Sequence, residues 1–264
     1  MGGLAAIGAA IALAVSPAQF LQAHAANGAF AEPGGAADAS LTAWAVLGLR
    51  AAGAAAPGSL QYLQSQESSL QSTSDVALVA LAERALGVVP EALLARITAA
   101  EHPDGRIGET VNSTIWSVLA LGRSPAATTR YVLAQQAPGG GFAWNAGGQP
   151  DSNDTAAALE MFRVAGVTGR PVARAVAFLL GFQGRDGGFA LSRGRGSDAQ
   201  STAWAIQGLV AAGRTPPRSA FAYLARLRRP DGSYRYSAAY VTTPVWVTAQ
   251  VLAALAKQPF PLAR

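Results

Sequence analysis

Residues 174–189 read RAVAFLLGFQGRDGGF, and residues 202–213 read TAWAIQGLVAAG. The first stretch combines an aromatic and an aliphatic residue with a glycine-rich turn that ends in a second aromatic residue. The second stretch is dominated by apolar residues at helical spacing and ends at a glycine, which is typical of a helix C-terminus. Together the two stretches predict a unit of helix, glycine-rich turn and helix.

Both phrases recur along the chain with a period of about 41 residues, which is typical of a repeat architecture. The turns end near residues 30, 70, 107, 142, 189 and 234. The second phrase recurs as Thr42-Ala43-Trp44, Thr114-Ile115-Trp116, Thr155-Ala156 and Thr202-Ala203-Trp204, with a degraded copy near Asp75-Val76-Ala77 and a sixth copy aligned as Pro244-Val245-Trp246. Because one helix pair cannot bury its apolar face alone, the pairs must stack. We therefore predict an all-α domain of six helix pairs that close into a barrel, with the Trp- and Ala-rich second helices as its inner ring.

The composition fits a folded domain. Half of the residues are hydrophobic and 13% are charged, which excludes disorder and implies a large core. The net charge of +5 is carried mostly by scattered arginines, so nucleic acid is not an expected partner. The absence of cysteine excludes disulfides and thiolate metal sites. We predict a monomer with no cofactor and no metal site.

The N-terminal stretch of residues 2–15 is apolar and rich in small residues. It lacks a basic start, but Ala12-Leu13-Ala14 resembles a signal-peptidase site. It is too short to span a membrane, which takes about 20 apolar residues. The six repeats do not need it, so we predict that residues 1–16 are a trimmed export signal or N-terminal extension and that residues 17–264 form the domain. The protein would then be exported to the periplasm, the cell surface or the medium; the alternative is a first core helix in a cytoplasmic protein.

Two of the copies resemble a known repeat. Residues 174–179 with Gln183, Gly187 and Phe189 are similar to the QW repeat of squalene–hopene cyclases, with Phe in place of the final Trp. Residues Tyr131-Val132, Gln136, Gly140 and Phe142 match the same pattern without its opening basic residue. The chain thus resembles the superfamily of terpenoid cyclases, protein prenyltransferase β-subunits and the α-domain of cobalamin carriers. This resemblance implies an α6/α6 toroid with a central cavity, but it is weak evidence for any one activity.

The activities within that superfamily depend on different residues. The zinc site of prenyltransferases includes a Cys, which this chain lacks, and His24 and His102 are interpreted as surface residues. Class II cyclases protonate an alkene with the middle Asp of a DxDD-Thr-Ala motif. Residues 151–156 read DSNDTA, so Asn153 replaces the proton donor while Asp151 and Asp154 match the first and last acids. Asp154 and Asp151 are therefore the candidate catalytic residues of a degenerate motif.

A structural interpretation of the same residues stays open beside the catalytic one. The Asn153 position reads Ser40, Asn112, Asn153, Gln200 and Thr242 across the repeats, which predicts helix N-caps. The Asp151 position reads Asp38, Thr110, Asp151, Asp198 and Tyr240, which favours turn chemistry and pairing with helix dipoles.

The remaining candidates are aromatic, polar and basic residues that could contact a ligand. The tryptophans that open inner helices form either an aromatic ring near the cavity mouth or core spacers; they are Trp44, Trp116, Trp204 and Trp246. Trp144 lies in the glycine-rich turn of residues 139–148 and is the better candidate for ligand contact.

Glu160 and Gln207 occupy one position of neighbouring inner helices, and such a buried polar pair must be hydrogen-bonded to each other, to water or to a ligand. Arg163, three residues after Glu160, is a further candidate partner of that carboxylate. Arg193 and Arg195, together with helix N-termini, would favour an anion at the mouth, unless they are solvated.

The leading functional prediction is a binding module. The toroid would hold a bulky, mostly apolar small molecule such as an isoprenoid. This ligand can also carry an anionic group. One alternative is a class II-like terpenoid cyclase that uses Asp154. A second is a corrinoid carrier or a protein-interaction scaffold. Whether the protein is an enzyme stays open, and no membrane span is expected.

Overall fold

The computed structural model describes residues 15–262, which form two concentric rings of helices. The outer ring consists of α1 (Pro17–Ala23), α3 (Ser59–Gln66), α5 (Glu91–Ala99), α7 (Ala126–Ala134), α9 (Arg170–Leu180) and α11 (Arg218–Leu227). The inner ring consists of α2 (Ala39–Ala51), α4 (Thr73–Ala85), α6 (Val111–Leu121), α8 (Ser152–Ala165), α10 (Ala199–Ala211) and α12 (Pro244–Leu255). A 3-10 turn (Glu67–Ser69) follows α3, and a hairpin of β1 (Ala25–Ala26) and β2 (Ala29–Phe30) follows α1.

The inner ring is closed. Each inner helix packs against the inner helices of the repeats before and after it, and α12 packs against α2. Inner helices are buried around most of their circumference, whereas α9 buries only Ala175, Val176 and Leu179. This difference separates the two rings, because a helix that is apolar all round must be buried. The predicted all-α, α6/α6 toroid is confirmed.

A threonine near the start of the inner helix ties it to the preceding turn. In five repeats its hydroxyl accepts the backbone N–H of the residue that ends the turn, at 2.9–3.0 Å. These pairs are Phe30 with Thr42, Ile107 with Thr114, Phe142 with Thr155, Phe189 with Thr202, and Tyr234 with Thr248. The two recurring phrases of the sequence therefore recur because they contact each other.

The same contact corrects the predicted alignment of the sixth repeat. Its threonine is Thr248, four residues beyond Pro244. Thr248 lies 14 residues after Tyr234, close to the separation of 13 residues in the fourth and fifth repeats. Gln250 is therefore the counterpart of Trp44, Trp116 and Trp204. Trp246 instead occupies the Asn153 position.

The positions at which the inner helices begin correct a second prediction. The side chain at the Asp151 position accepts the backbone N–H three residues later at 2.7–3.0 Å; these caps are Asp38, Ser72, Thr110, Asp151 and Asp198. The Asn153 position does not cap, because Asp151 is still extended (φ −131°, ψ 173°) and the helix starts at Ser152. In α12 the cap comes from the first repeat, where the Glu32 carboxylate accepts the N–H groups of Val245 and Trp246 at 3.0 and 2.8 Å.

Each glycine-rich turn packs on the outer helix of the next repeat. Gly187 has φ +86°, and a β-carbon there would lie 2.7 Å from the backbone oxygen of Ser219 in α11. The Gln183 amide donates to the Gly187 carbonyl and to Ser219 Oγ, both at 3.0 Å. Gln136 makes the equivalent bonds to the carbonyls of Gly140 and Pro171 at 2.9 Å. The glutamine of the repeat thus bridges its own turn to the following repeat.

The first described residues contact the last repeat. Ser16 caps α1 in a capping box with Gln19. The Val15 carbonyl accepts a hydrogen bond from the Arg228 guanidinium at 3.0 Å. Residues 1–14 lie outside the described residues, so the export signal stays a prediction. Among the helices of residues 15–262, none has the length and apolar character needed to cross a membrane.

Candidate ligand-binding cavity

A cavity of about 430 Å³ opens at the end of the barrel where the inner helices begin. Most of its wall consists of two rings of side chains, one helical turn apart on the same helix faces. The upper ring lies two residues before the repeat threonine and contains Ser40, Ser74, Asn112, Asn153, Gln200 and Trp246. The lower ring lies two residues after it and contains Trp44, Leu78, Trp116, Ala157, Trp204 and Gln250. In the second repeat Val76 takes the place of the threonine.

All five tryptophans of the chain line this cavity. The rings of Trp44, Trp116 and Trp204 meet edge to face, with centroids 5.4–5.8 Å apart and interplanar angles of 88–90°. This is a favoured geometry for aromatic pairs, and it closes the barrel axis below the cavity. Trp246 is partly buried in the upper ring, and Trp144 stands in the turn before α8 with 50% of its surface exposed.

Phe260 supports this aromatic layer from the opposite side. Its ring lies 6.0–6.4 Å from all three of these tryptophan rings and is fully buried. Its backbone N–H donates to Glu160 Oε1 at 3.0 Å, and the Arg163 guanidinium donates to the Phe260 and Pro261 carbonyls at 2.8 and 3.1 Å. The segment after α12 therefore closes the other end of the barrel, and the cavity has a floor.

The predicted pair of Glu160 and Gln207 lies below that floor. Both residues are fully buried, one helical turn beyond the tryptophan layer, and neither lines the cavity. Burial raises the pKa of Glu160 to about 8, although the Phe260 N–H and the nearby Arg163 charge oppose the shift. Arg163 was predicted as a partner of Glu160. In the structure both side chains form hydrogen bonds to the backbone of Phe260, the Glu160 carboxylate to its N–H and the Arg163 guanidinium to its carbonyl.

The acids of the degenerate motif reach the cavity wall. Asp154 is buried and accepts the Asn112 amide at 2.7 Å. Burial raises the pKa of its carboxyl, and the negative charge of Asp151 raises it further. Burial also raises the pKa of Asp151, although the backbone N–H groups that donate to its carboxylate lower it. Asp75, on the wall formed by α4, accepts the hydroxyls of Ser40 and Ser72 at 2.8 and 2.6 Å.

Gln250 is a cavity residue that the sequence analysis missed. It is only 1% exposed, and neither Nε2 nor Oε1 of its amide has a hydrogen-bond partner within residues 15–262. The misaligned sixth repeat concealed it. The Thr248-Ala249 pair, which repeats Thr42-Ala43 and Thr202-Ala203, is the sequence signal that could have revealed it.

The predicted arginines are not among the residues that line the cavity. The Arg193 guanidinium lies 5.7 Å from the centre of the Phe182 ring, and Arg195 is exposed. The lining includes no Arg, Lys or His but three carboxyl groups, those of Asp75, Asp151 and Asp154. Over the part of the chain that the structure describes, no cluster of three His, Cys, Asp or Glu residues could hold a metal ion.

Comparison with solved structures finds the same architecture. A protein from Actinoplanes superimposes with a TM-score of 0.73 at 18% identity, over 91% of this chain and 97% of that one. The type II terpene cyclase MstE from Scytonema superimposes with a TM-score of 0.69 at 16% identity, over 91% and 95%. An MstE variant in complex with its substrate, geranylgeranyl dihydroxybenzoate, gives a TM-score of 0.67 at 16% identity, over 91% and 94%.

The sequence itself matches no family model, and it matches no curated protein. At these levels of identity the structural likeness establishes the fold alone. The chain has the terpenoid cyclase-like toroid fold, as the resemblance of its repeats implies.

Proposed function

We propose that this protein binds a bulky, mostly apolar small molecule of the isoprenoid class in the cavity between the upper and lower rings. The observation that carries the proposal is the convergence of all five tryptophans on one open cavity. Pockets of this size that combine aromatic walls with a few polar groups are typical ligand sites. The complex of MstE with geranylgeranyl dihydroxybenzoate supports the choice of ligand class.

The floor limits how such a ligand could lie. The tryptophan layer is only four residues below the upper ring, a rise of about 6 Å along a helix. A long isoprenoid chain would therefore fold within the cavity or lie across its mouth, where Trp144 and Trp246 provide apolar surface. Extension along the barrel axis is blocked by the tryptophans and Phe260.

Titration with farnesol and with geranylgeranyl dihydroxybenzoate, followed by calorimetry, tests the proposal. We expect saturable binding of one molecule per chain and at least a tenfold weaker affinity in Trp144→Ala, a change of about 1.4 kcal/mol. Tyr240→Ala is the matched control, because Tyr240 is an exposed aromatic residue that does not line the cavity. Absence of saturable binding, or an equal loss in both variants, would contradict the proposal.

Acid catalysis by Asp154 is the second candidate function. A buried carboxyl group with a raised pKa stays protonated near neutral pH, which is the form that can donate a proton to an alkene. The side chain also lines the tryptophan-rich cavity, where aromatic faces would stabilise a developing cation. Asn153 argues against this function, because it occupies the position of the proton donor in the motif of class II cyclases.

Incubation with squalene and with geranylgeranyl dihydroxybenzoate, followed by product analysis, distinguishes the two functions. A pure binding protein returns both compounds unchanged. Cyclic product that forms with the wild-type protein and disappears in Asp154→Asn would establish the enzyme instead. Asn153→Asp tests whether restoring the motif creates activity in a cavity that already binds the substrate.

A further inference from the structure

Gln250 interrupts the lower ring. The other five positions of this ring are apolar: Trp44, Leu78, Trp116, Ala157 and Trp204. At the sixth position an amide is almost completely removed from solvent, and both of its polar atoms lack a partner among the described residues. Burying an amide without hydrogen bonds is unfavourable, and native proteins satisfy the great majority of such groups. The position needs an explanation, and its place on the cavity wall supplies one.

We infer that the Gln250 amide is the polar anchor of the cavity and hydrogen-bonds an uncharged oxygen-bearing group of the ligand, such as a hydroxyl. This inference rests on the proposed function and adds the chemistry of the ligand's polar end. An amide offers both a donor and an acceptor, and a hydroxyl group can satisfy both at once. The apolar body of the ligand then packs against the tryptophans on either side of Gln250.

The absence of basic side chains from the wall disfavours an anionic group at this place. Three carboxyl groups and no basic side chain line the cavity. A phosphate or carboxylate would therefore be desolvated without a counter-charge. An ammonium group would use only the amide oxygen and would leave the amide NH₂ unpaired. The uncharged hydroxyl is the group that fits both the amide and its surroundings.

Gln207 provides a matched control within the same fold. It is also a fully buried glutamine of an inner helix, and both atoms of its amide lack a partner among residues 15–262. It lies three residues after Trp204, beyond the tryptophan layer, and does not line the cavity. Gln207→Leu and Gln250→Leu each remove one buried amide group, but only the amide of Gln250 lines the cavity.

The test compares the affinities of the full-length protein for farnesol and for farnesene, which share an apolar body and differ in the hydroxyl group. We expect the wild-type protein to bind farnesol at least tenfold more tightly than farnesene. Gln250→Leu should abolish this preference by weakening farnesol binding alone, whereas Gln207→Leu should retain it. In the wild-type protein, addition of farnesol should also shift a side-chain amide resonance that is absent from the spectrum of Gln250→Leu.

Each outcome separates the anchor from the proposed function. Equal affinity of the wild-type protein for the two compounds, or a preference that survives in Gln250→Leu, would overturn the anchor while isoprenoid binding stands. Tighter binding of farnesylamine or of farnesyl phosphate than of farnesol would overturn the choice of an uncharged group. If the wild-type protein binds none of these compounds, the proposed function itself fails. Gln250→Met, which keeps the length of the side chain, repeats the test should the leucine variant not fold.

Discussion

At the scale of the residue, the start of an inner helix carries two separate roles. Asp151 caps α8 by accepting the Asp154 N–H at 2.8 Å, whereas Asn153, two residues later, faces the cavity. Sequence comparison aligned both positions across the repeats but assigned the cap to Asn153. The error has a physical origin, because Asn and Asp are both good N-caps and the choice depends on where the backbone turns helical.

Stability measurements on two variants distinguish these roles. Asp151→Ala should lower the free energy of unfolding by about 1 kcal/mol, since it removes a helix cap. Asn153→Ala should change it by less than about 0.5 kcal/mol, because Asn153 makes no cap. Urea denaturation measures both, with Asp198→Ala as a second cap that should behave like Asp151→Ala. A larger loss in Asn153→Ala than in Asp151→Ala would contradict the assignment.

The raised pKa of Glu160 predicts the sign of a pH dependence of stability. Its pKa rises from 4.5 to about 8 on folding because of burial, so the native state binds more protons than the unfolded state between these values. The contribution of Glu160 to stability is therefore complete below the lower value and is lost as the pH rises toward the higher one, with a slope of at most about 1.4 kcal/mol per pH unit.

Glu160→Gln should flatten the decline of stability over this whole range while retaining an acceptor for the Phe260 N–H. Glu83→Gln is the control, because burial and the nearby charge of Glu67 raise the pKa of Glu83 only to about 7. Its effect should therefore end near pH 7. Denaturation curves between about pH 5 and 8.5, a range that includes both raised pKa values, provide the measurement. An unchanged slope in Glu160→Gln would show that this carboxyl group is charged in the folded protein.

At the scale of the element, each repeat is held by the contact between its turn and the next outer helix. The sequence predicted the helix pairs and their rings correctly, because the apolar periodicity and the turn glycines are local signals. It misaligned the last repeat, because Trp246 was matched to the tryptophan that follows the repeat threonine by two residues, although Thr248 is the threonine that contacts the turn. Periodic signals locate regular repeats well, but a residue as distinctive as tryptophan misleads the alignment when it occurs at a different position of the repeat.

Two alanine variants separate the destabilising effect of a steric collision between a turn and the next repeat from that of backbone strain. Gly187 and Gly194 both have positive φ, +86° and +81°, so alanine is strained at either position. A β-carbon at Gly187 would also collide with Ser219, whereas none of the described atoms lies within 4 Å of one at Gly194. Gly187→Ala should therefore destabilise the protein by roughly 1–3 kcal/mol more than Gly194→Ala, a range typical of overpacking. Equal melting temperatures of the two variants would exclude a tight contact at Gly187.

At the scale of the whole molecule, contacts between the two ends of the chain complete the ring. Glu32 of the first repeat caps α12, and Arg228 binds the Val15 carbonyl. Arg163 of α8 in addition holds the segment that carries Phe260. The closed toroid was predictable, because two of the repeats resemble the QW repeat of proteins with this fold. The depth of the cavity was not predictable, because Phe260 follows the last repeat and belongs to no periodic pattern. For the same reason the sequence placed Glu160 and Gln207 in the cavity, although they lie beneath its floor.

The central claim is that the cavity between the two rings holds an apolar ligand by its tryptophans and by Gln250. A crystal structure of the protein with farnesol tests this claim most directly. The account predicts the isoprenoid chain against Trp44, Trp144 and Trp246, with the hydroxyl oxygen at about 2.7–3.2 Å from the Gln250 amide. Farnesol bound elsewhere on the molecule, or bound in the cavity with its hydroxyl directed to solvent and no contact to Gln250, would contradict it.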